Sequence, residues 1–497
     1  MSCPFIPFAL PLQPALPTLE GHVDYRLWRD QLQRIDALLR HSDVETQFLQ
    51  SSLQDWHRQA QASGSSLSTK AQLRFQERTQ RALRCNIARS LLNEDFRGFA
   101  VRLADSPVLQ SFCLVSRLDR IKVPSKSELE RFSKWVPAAR VREVVAQLTR
   151  QGQDQPQKLN LEQPLDLETS FVDTTCLEAN IHYPVDWVLL RDATRTLMKA
   201  VRLIRGEGLK HRMEEPEVFL RQMNRLCIAM THARAKADSQ RQRKKTLRKM
   251  DRLVGVVRGH AQRYRDLLDQ PWDQTEWTRG QADQVLRRMD QVLKPLPAAR
   301  RQARQRILQG QMPDNADKIL SLYEPDVPVI VRRKAGAEVE FGNTLLVGES
   351  RQGLILDWEL FAESAPADAR LLVQSLERTE QALERKIKGV GADRGFDSKS
   401  NQAKLAQRQT YNGVCPRSPA EMKGRNQSWK FKGIQHRRSQ TEGRIAIFKN
   451  NVLGGPLLSK GIEHRQLTVA WAVLSHNLWV MARLPEKKEE QSERAAA

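Results

Sequence analysis

The β-prone segments of this sequence stand in a fixed order around one long helical stretch, and this order restricts the possible folds more than any other feature. The first segment is the short run 170–175, and a helical pattern follows from about Val185 to about Gln309. Three more β-rich runs lie between 326 and 361, broken by "AGA" and "RQG", which are typical of turns. These three runs predict antiparallel strands that are distant in sequence from the first strand.

The remaining part of the chain adds short strands and helices to this pattern. A helix is predicted over about 366–388, and short strands follow in "KGVGA" and "NGVCPR". The segment 423–440 is interpreted as a basic linker that leads into a helix carrying Glu442. This order of elements is that of an α/β fold, a ribonuclease-H-like mixed sheet with a large all-helical insertion after the first strand and an all-helical domain before it.

Composition and pattern divide the 497 residues into five parts. They are a Pro-rich lead-in (1–22), a helical domain (23–150), a ribonuclease-H-like domain assembled from 166–186 and 326–484, a basic helical insertion (187–310) and a disordered charged tail (485–497). In the helical domain, Pro107 suits the first position of a helix, and Ser125 with Glu128 has the spacing of a capping box. The two short helices predicted there are compatible with a helix-turn-helix or with a plain helical hairpin.

The charge of the chain indicates a polyanionic partner. The sequence has 81 basic and 58 acidic residues and a net charge of +23. Nucleic acid is the first candidate and an anionic membrane surface the second. No apolar run approaches the ~20 residues of a membrane helix, and "LTVAWAVLSHNLWVMARL" predicts a buried helix. The six cysteines show no C-x-x-C pair, so neither a zinc site nor a disulfide framework is indicated, and a reducing cytoplasm is expected.

Three carboxylates occupy places where they can meet. Asp173 ends the first predicted strand, Asp393 ends the strand in "KGVGA", and Glu442 lies on the helix after the last strand. In the ribonuclease-H-like order, the ends of the first and fourth strands are adjacent, so the three side chains can converge. Two Mg²⁺ ions about 4 Å apart can hold the attacking and leaving oxygens of a phosphoryl displacement, and Mg²⁺ prefers oxygen ligands.

Bases surround Glu442 at a helical spacing. Arg438 lies four residues before it and Lys449 seven residues after it, so the three share one helix face. An exposed salt-bridge stripe is the simple interpretation, and contact with DNA phosphates is the functional one. Further candidates for DNA contact are Arg437, Lys430, Lys432 and, in the basic segment 231–250, Lys244 and Lys245.

Four segments together resemble a DDE transposase of a bacterial insertion sequence. They are "VDTTCLEANIHYPVDWVLLRD" (172–192), "VEFGNTLLVGESRQGLILDWEL" (339–360), "GVGADRGFDS" (389–398) and "RRSQTEGRIAIFKNN" (437–451). The resemblance covers about 166–484 and, more weakly, the helical N-terminal domain, which would then bind the transposon ends. It implies that Asp173, Asp393 and Glu442 are the catalytic triad and hold two Mg²⁺ ions, with Mn²⁺ as a substitute.

Related transposases also carry a helix motif of Tyr, Arg, Glu and Lys, separated by two, three and six residues. Arg438, Glu442 and Lys449 match its last three members. Gln435 stands where the Tyr would be, and this departure concerns the part of the motif that handles the DNA end. The flanking bases would accordingly hold the phosphates of the strand being cut.

Five other residues near these motifs have simpler explanations. Asp186 and Asp192 fall on the helix after the first strand, where capping or pairing with neighbouring arginines is expected. Asp397 suits a helix N-cap or a partner of a metal ligand, and His182 lies in a loop, near the DNA or in a structural role. Trp429 is expected to pack within the fold, although stacking on an unpaired base is an alternative.

The resemblance implies an enzyme that hydrolyses a phosphodiester at each transposon end and joins the exposed 3′-OH to target DNA. Its partners would be double-stranded DNA, as terminal inverted repeats and as target, and a second copy of the chain, in the bacterial cytoplasm at the nucleoid and without membrane association. The alternatives are a ribonuclease-H-like nuclease or resolvase without strand transfer, and a catalytically silent repressor derived from a transposase. The intact triad argues against the repressor.

Overall fold

The computed structural model describes residues 16–64, 68–116, 120–233, 238–334 and 337–486. Most of the predicted lead-in and nearly all of the predicted tail lie outside the described residues. The protein is a mixed α/β structure in which helix predominates. The chain forms two compact units, of which unit 1 is Met1–Leu177, Thr344–Phe361 and Ala365–Ala497, and unit 2 is Glu178–Asn343 with Ala362–Ser364.

In the described part of unit 1, seven α-helices precede the first strand. They are α1 (Val23–His41), α2 (Val44–Ala62), α3 (Thr69–Leu92), α4 (Phe96–Asp105), α5 (Pro107–Phe112), α6 (Lys126–Ser133) and α7 (Ala138–Asp154). The hydroxyls of Ser106 and Ser125 accept hydrogen bonds from backbone N–H groups and cap α5 and α6, as the sequence predicts. Of the two interpretations of α5 and α6, the helix-turn-helix is wrong. Thirteen residues (113–125) join these helices, whereas the turn of such a motif has three or four.

Unit 2 contains a bundle of helices, α8 (Asp186–Gly206), α9 (Pro216–His232), α10 (Ser239–Asp269), α11 (Arg279–Leu293) and α12 (Leu296–Ala303). A π-helical stretch, Arg304–Gln309, ends it. The predicted helical insertion is therefore confirmed in its secondary structure. Its core is apolar, with Leu197, Met250 and Val254 fully buried, because each helix turns one apolar stripe inward.

Six strands follow the predicted positions. They are β1 (Thr169–Glu178), β2 (Val329–Lys334), β3 (Ala337–Glu349), β4 (Ile355–Leu360), β5 (Gly389–Ala392) and β6 (Tyr411–Val414). In unit 2, β2 pairs antiparallel with the first half of β3. In unit 1 the strand order is β4-β3-β1-β5-β6, with β3 and β4 antiparallel and β1, β5 and β6 parallel.

Five helices complete unit 1, namely α13 (Asp368–Leu383), α14 (Lys399–Gln407), α15 (Pro419–Arg425), α16 (Trp429–Ile447) and α17 (Ile462–Met481). The predicted basic linker (423–440) is wrong over most of its length, because α16 already begins at Trp429. The Ser428 hydroxyl accepts a hydrogen bond from the Phe431 N–H and caps it. Glu442 therefore lies in the fourth turn of a long helix.

The C-terminal helix α17 is the centre of the unit 1 core. It is buried over most of its length, as predicted, and it packs against α3, α7 and β4. The N-terminal helices thus share one hydrophobic core with the sheet, where the sequence suggests a separate domain. Among the helices of the described residues, none is long and apolar enough to cross a membrane.

Candidate active site

The sheet register brings Asp173 and Asp393 to neighbouring positions. In the parallel pair β1 and β5, Phe171 is opposite Gly391, and the next residues, Val172 and Ala392, are also opposite one another. Asp173 is the next residue on β1, where it lies in the middle of the strand and not at its end as predicted, and Asp393 directly follows the last residue of β5. Since side chains alternate between the faces of a sheet, both aspartates belong to the face that carries Phe171 and Gly391.

Helix α16 covers this face at very short range. Gly391 and Gly413 are partners across β5 and β6. A Cβ atom on either glycine would lie 2.8 or 2.6 Å from the Cγ2 atom of Ile434, which is too close for any other residue type. The side chain of Gln435 donates a hydrogen bond of 2.5 Å to the carbonyl oxygen of Gly413. The glycine pair therefore allows α16 to pack closely on β5, which Asp393 follows, and on β6.

The charges of Glu442 and Arg438 influence the ionisation of Asp173. Its pKa is raised to about 6, first because the carboxyl is buried and then because Asp393 and Glu442 repel its charge. The Thr174 N–H, which donates a 2.7 Å hydrogen bond to Asp173, and the charge of Arg438 act in the opposite direction. Three carboxylates from two strands and one helix, with one arginine, thus act on one another within unit 1.

The two bases of the sequence motif differ in their surroundings. Arg438 is partly buried, and its Nε donates a 3.3 Å hydrogen bond to the Gln435 side chain, the residue that also binds β6. Lys449 lies beyond the regular part of α16, in the π-helical stretch Phe448–Val452. A π-helical turn changes the phase of the residues that follow, so the spacing of seven does not place Lys449 directly above Glu442. Of the ion pairs between described residues, none joins Glu442 to either base.

The residues of the site suit a hard divalent cation by their chemistry. Three carboxylates supply oxygen ligands, and a cation would relieve the repulsion that raises the pKa of Asp173. Among the described residues, however, no three acidic, His or Cys side chains already surround a single point at ligand distance. The charge of Glu442 affects the pKa of Asp173 over a distance longer than a metal–ligand bond. Glu442 is exposed, so a bound cation could draw its side chain toward the two aspartates.

A further acidic residue lies beside Asp393, and sequence reasoning missed it. Asp368 begins α13, and its carboxylate accepts a 3.0 Å hydrogen bond from the Thr174 hydroxyl. A Cβ atom on Gly395 would lie 2.7 Å from an oxygen of Asp368 and 3.1 Å from an oxygen of Asp393. Acidic residues are common in the first turn of a helix because they interact favourably with the helix dipole. The sequence position of Asp368 therefore gives no indication that it lies near Asp393.

Arg437 is not on the surface, although the sequence suggests a DNA contact. It is only 8 % exposed, and its guanidinium donates to the carboxylate of Glu349 with two hydrogen bonds of 2.9 Å. The burial argues against direct contact between Arg437 and DNA. By contrast, Lys430 and Lys432 are exposed on α16.

Trp429 is 87 % exposed at the start of α16, so its expected packing within the fold is wrong. The neighbouring Lys430 places its ammonium 4.3 Å from the ring centre of Tyr411. In unit 2, Lys245 is exposed on α10 and Lys244 is partly buried. Except for Arg437, the predicted contact residues are thus at least partly accessible to solvent.

Asp397 has a structural role. It is buried, and it accepts hydrogen bonds of 2.9 Å from the Gln402 side chain and from the backbone N–H of Arg417. These bonds join the loop after β5 to α14 and to the segment after β6. The N-cap of α14 is the neighbouring Ser398.

The acids of α8 are also paired. Asp192 binds the adjacent Arg191 at 3.1 Å, as expected. Asp186 is buried and pairs at 3.0 Å with Arg306, which comes from the end of the helical insertion rather than from its own helix. His182 is exposed in the loop before α8.

No protein-family model, curated protein or solved structure matches the chain.

Proposed function

We propose that this protein is a DNA transposase with a ribonuclease-H-like catalytic core. The observation that carries the proposal is the register of the parallel strands β1 and β5, which brings Asp173 and Asp393 to neighbouring positions on the face covered by α16, the helix that carries Glu442. The strand order β4-β3-β1-β5-β6 supports it, since an antiparallel pair on one side of the sheet and three parallel strands on the other are what the ribonuclease-H-like order requires.

In this proposal, different residues bind the metal ions, orient the carboxylates and bind the scissile phosphate. The three carboxylates would hold two Mg²⁺ or Mn²⁺ ions, which supply charge neutralisation at the attacking and leaving oxygens when bound. The N–H of Thr174 orients the Asp173 carboxylate, and the N–H of Gly395 donates a 2.8 Å hydrogen bond that orients Asp393. Arg438 supplies a positive charge beside Asp173 that can receive the scissile phosphate.

The charge of the molecule supports DNA as the substrate. The net charge of +23 is large for one chain, and α16 presents Lys430 and Lys432 on the same helix as Glu442. A duplex bound by these lysines would release counterions, which gives sequence-independent affinity. Synapsis of two transposon ends by at least two copies of the chain, in the bacterial cytoplasm, belongs to the same proposal.

The test is cleavage of the DNA that flanks the gene. A duplex carrying each candidate inverted repeat is incubated with Mg²⁺ and the wild-type protein or its Glu442→Gln variant. We expect nicking at the repeat end and joining of the 3′-OH to a second duplex with the wild type only. Nicking without joining would indicate a nuclease or resolvase. Specific binding without cleavage by the wild type would indicate a repressor and refute the proposal.

A further inference from the structure

A buried carboxylate outside the acid triad receives three hydrogen bonds from α16. Glu349 ends β3 and is 2 % exposed. One of its oxygens accepts hydrogen bonds of 2.9 Å from both terminal nitrogens of Arg437 and one of 2.8 Å from the hydroxyl of Thr441. Both donors lie on α16, one turn apart, so Glu349 holds one face of this helix.

All five N–H donors of Arg437 have acceptors within the protein. Besides Glu349, its Nε binds the carbonyl oxygen of Arg351 at 2.7 Å, one terminal nitrogen binds that of Ser350 at 2.9 Å, and the other binds the hydroxyl of Thr441 at 3.3 Å. The guanidinium also lies 4.7 Å from the ring centre of Phe171 on β1. One side chain therefore connects α16 with the end of β3, the turn that follows it, and β1.

The connection lies beside the acid triad. Phe171 and Asp173 are two residues apart on β1 and share a face, about 6.6 Å apart along the strand. Arg437 and Glu442 are five residues apart on α16, about 7.5 Å along the helix axis. A contact between Arg437 and Phe171 thus fixes both the rotation and the height at which α16 presents Glu442 and Arg438 to Asp173.

We propose that Arg437 and Glu349 form the positioning pair of the catalytic centre, an inference that rests on the proposed function. The pair sets the orientation of α16 relative to β1, and neither residue touches DNA or metal. A buried ion pair is weak support for a role in stability, because desolvation offsets much of its attraction. A geometric role requires the shape of the guanidinium, and Lys, with three donors on one nitrogen, cannot reproduce it.

The test compares Arg437→Lys with Arg444→Lys. Arg444 lies two turns later on α16, and its guanidinium donates a 2.6 Å hydrogen bond to the carbonyl oxygen of Gln352, in the same turn after β3. Its described contacts do not include a strand that carries a triad residue. Both variants keep the charge and lose the guanidinium, but only Arg437→Lys loses contacts to β1 and to the end of β3.

Three quantities are measured for each variant. They are the Mg²⁺-dependent cleavage rate at saturating DNA, the affinity for Mn²⁺ without DNA by electron paramagnetic resonance, and the affinity for duplex. We expect Arg437→Lys to lower the cleavage rate about 100-fold and the Mn²⁺ affinity about 10- to 100-fold, with unchanged duplex affinity. Arg444→Lys should leave all three near wild type. Glu349→Gln, which removes the charge of the partner, should act in the direction of Arg437→Lys and replaces it if that variant does not fold.

Two results would overturn the positioning role. One is a cleavage rate and Mn²⁺ affinity in Arg437→Lys equal to those of the wild type. The other is an equal loss in Arg444→Lys, which would mean that any weakening of α16 has this effect. If the wild type binds Mn²⁺ through Asp173 but cleaves no DNA, the proposed function fails while the Mn²⁺ affinities still decide the positioning role. If the wild type neither binds Mn²⁺ nor cleaves DNA, both fail.

Discussion

Replacement of Asp173 by Asn should stabilise the fold at neutral pH while it abolishes cleavage. The pKa of Asp173 is about 6 in the folded protein, above its ordinary value of 3.8, because the carboxyl is buried and faces Asp393 and Glu442. The folded state therefore binds this proton more tightly than the unfolded state. The resulting stabilisation is complete below pH 3.8 and is lost as the pH rises through about 6, so the ionised carboxylate opposes folding at neutral pH.

The size of the effect follows from the two pKa values. They differ by about 2.2, which corresponds to about 3 kcal/mol at pH 7.5. The same linkage leaves about 1.6 kcal/mol at pH 5 and about 0.5 kcal/mol at pH 4. Asp173 is partly exposed, and solvent screening makes these values upper bounds. Asn has no charge to bury, so the variant should exceed the wild type in stability by an amount that shrinks toward acid pH.

The assay is urea or thermal denaturation of both proteins between pH 4 and pH 8. Asp397→Asn is the matched control, because Asp397 is buried but held by two hydrogen bonds, and its replacement should destabilise the fold by about 1–3 kcal/mol. Mg²⁺ should stabilise the wild type and not Asp173→Asn. A destabilised Asp173→Asn at pH 7.5, or a difference that does not change with pH, would refute the reasoning.

Four further outcomes are expected. Asp393→Asn and Glu442→Gln should each abolish Mg²⁺-dependent cleavage but leave duplex affinity in a mobility-shift assay intact; cleavage near the wild-type rate would remove that residue from the triad. Arg438→Ala should lower the cleavage rate at saturating DNA about 100-fold, and Lys449→Ala less, since Arg438 lies on the regular part of α16 and its charge affects the pKa of Asp173, whereas Lys449 lies in the π-helical stretch; normal rates in both would support the salt-bridge interpretation. Log affinity for duplex should fall linearly with log salt concentration, and a flat line would exclude DNA as partner. Deletion of residues 1–150 should abolish the cooperative thermal unfolding of unit 1 seen by circular dichroism, because α17 packs on α3 and α7; an unchanged transition would restore the separate domain.

The strands of this fold can be predicted from the sequence because their signals are local. Alternation of apolar residues, β-branched side chains and turn residues such as "RQG" mark each strand without reference to the rest of the chain. The place of Asp393 directly after β5 follows from these signals, whereas Asp173, expected at the end of the first strand, lies in the middle of β1. The close packing of α16 on β5 and β6 does not follow, since Gly391 and Gly413 each resemble ordinary strand glycines. Only the register that pairs them across β5 and β6 shows that they admit Ile434.

The start of α16 cannot be predicted from the sequence for a different reason. Its first three turns contain several lysines and arginines and the exposed Gly433, which lowers helix propensity. The buried stripe is narrow, formed by Phe431 and Ile434 and then by Arg437 in place of an apolar residue. A pattern search that counts arginine as polar therefore assigns the segment to a linker. The helix packs on the sheet and binds the Glu349 carboxylate through Arg437, and neither contact can be seen in the local sequence.

The adjacent residues Arg437 and Arg438 show where sequence reasoning reaches its limit at this site. Consecutive residues on a helix point about 100° apart, so two neighbours of the same type can face entirely different surroundings. Arg437 is buried and binds Glu349, which is far from it in sequence, whereas Arg438 binds the side chain of Gln435 and stays partly accessible. A motif search can identify the base that matches a catalytic pattern. It cannot identify the proposed positioning role of Arg437, because that role depends on Glu349, which lies on β3 and is distant in sequence.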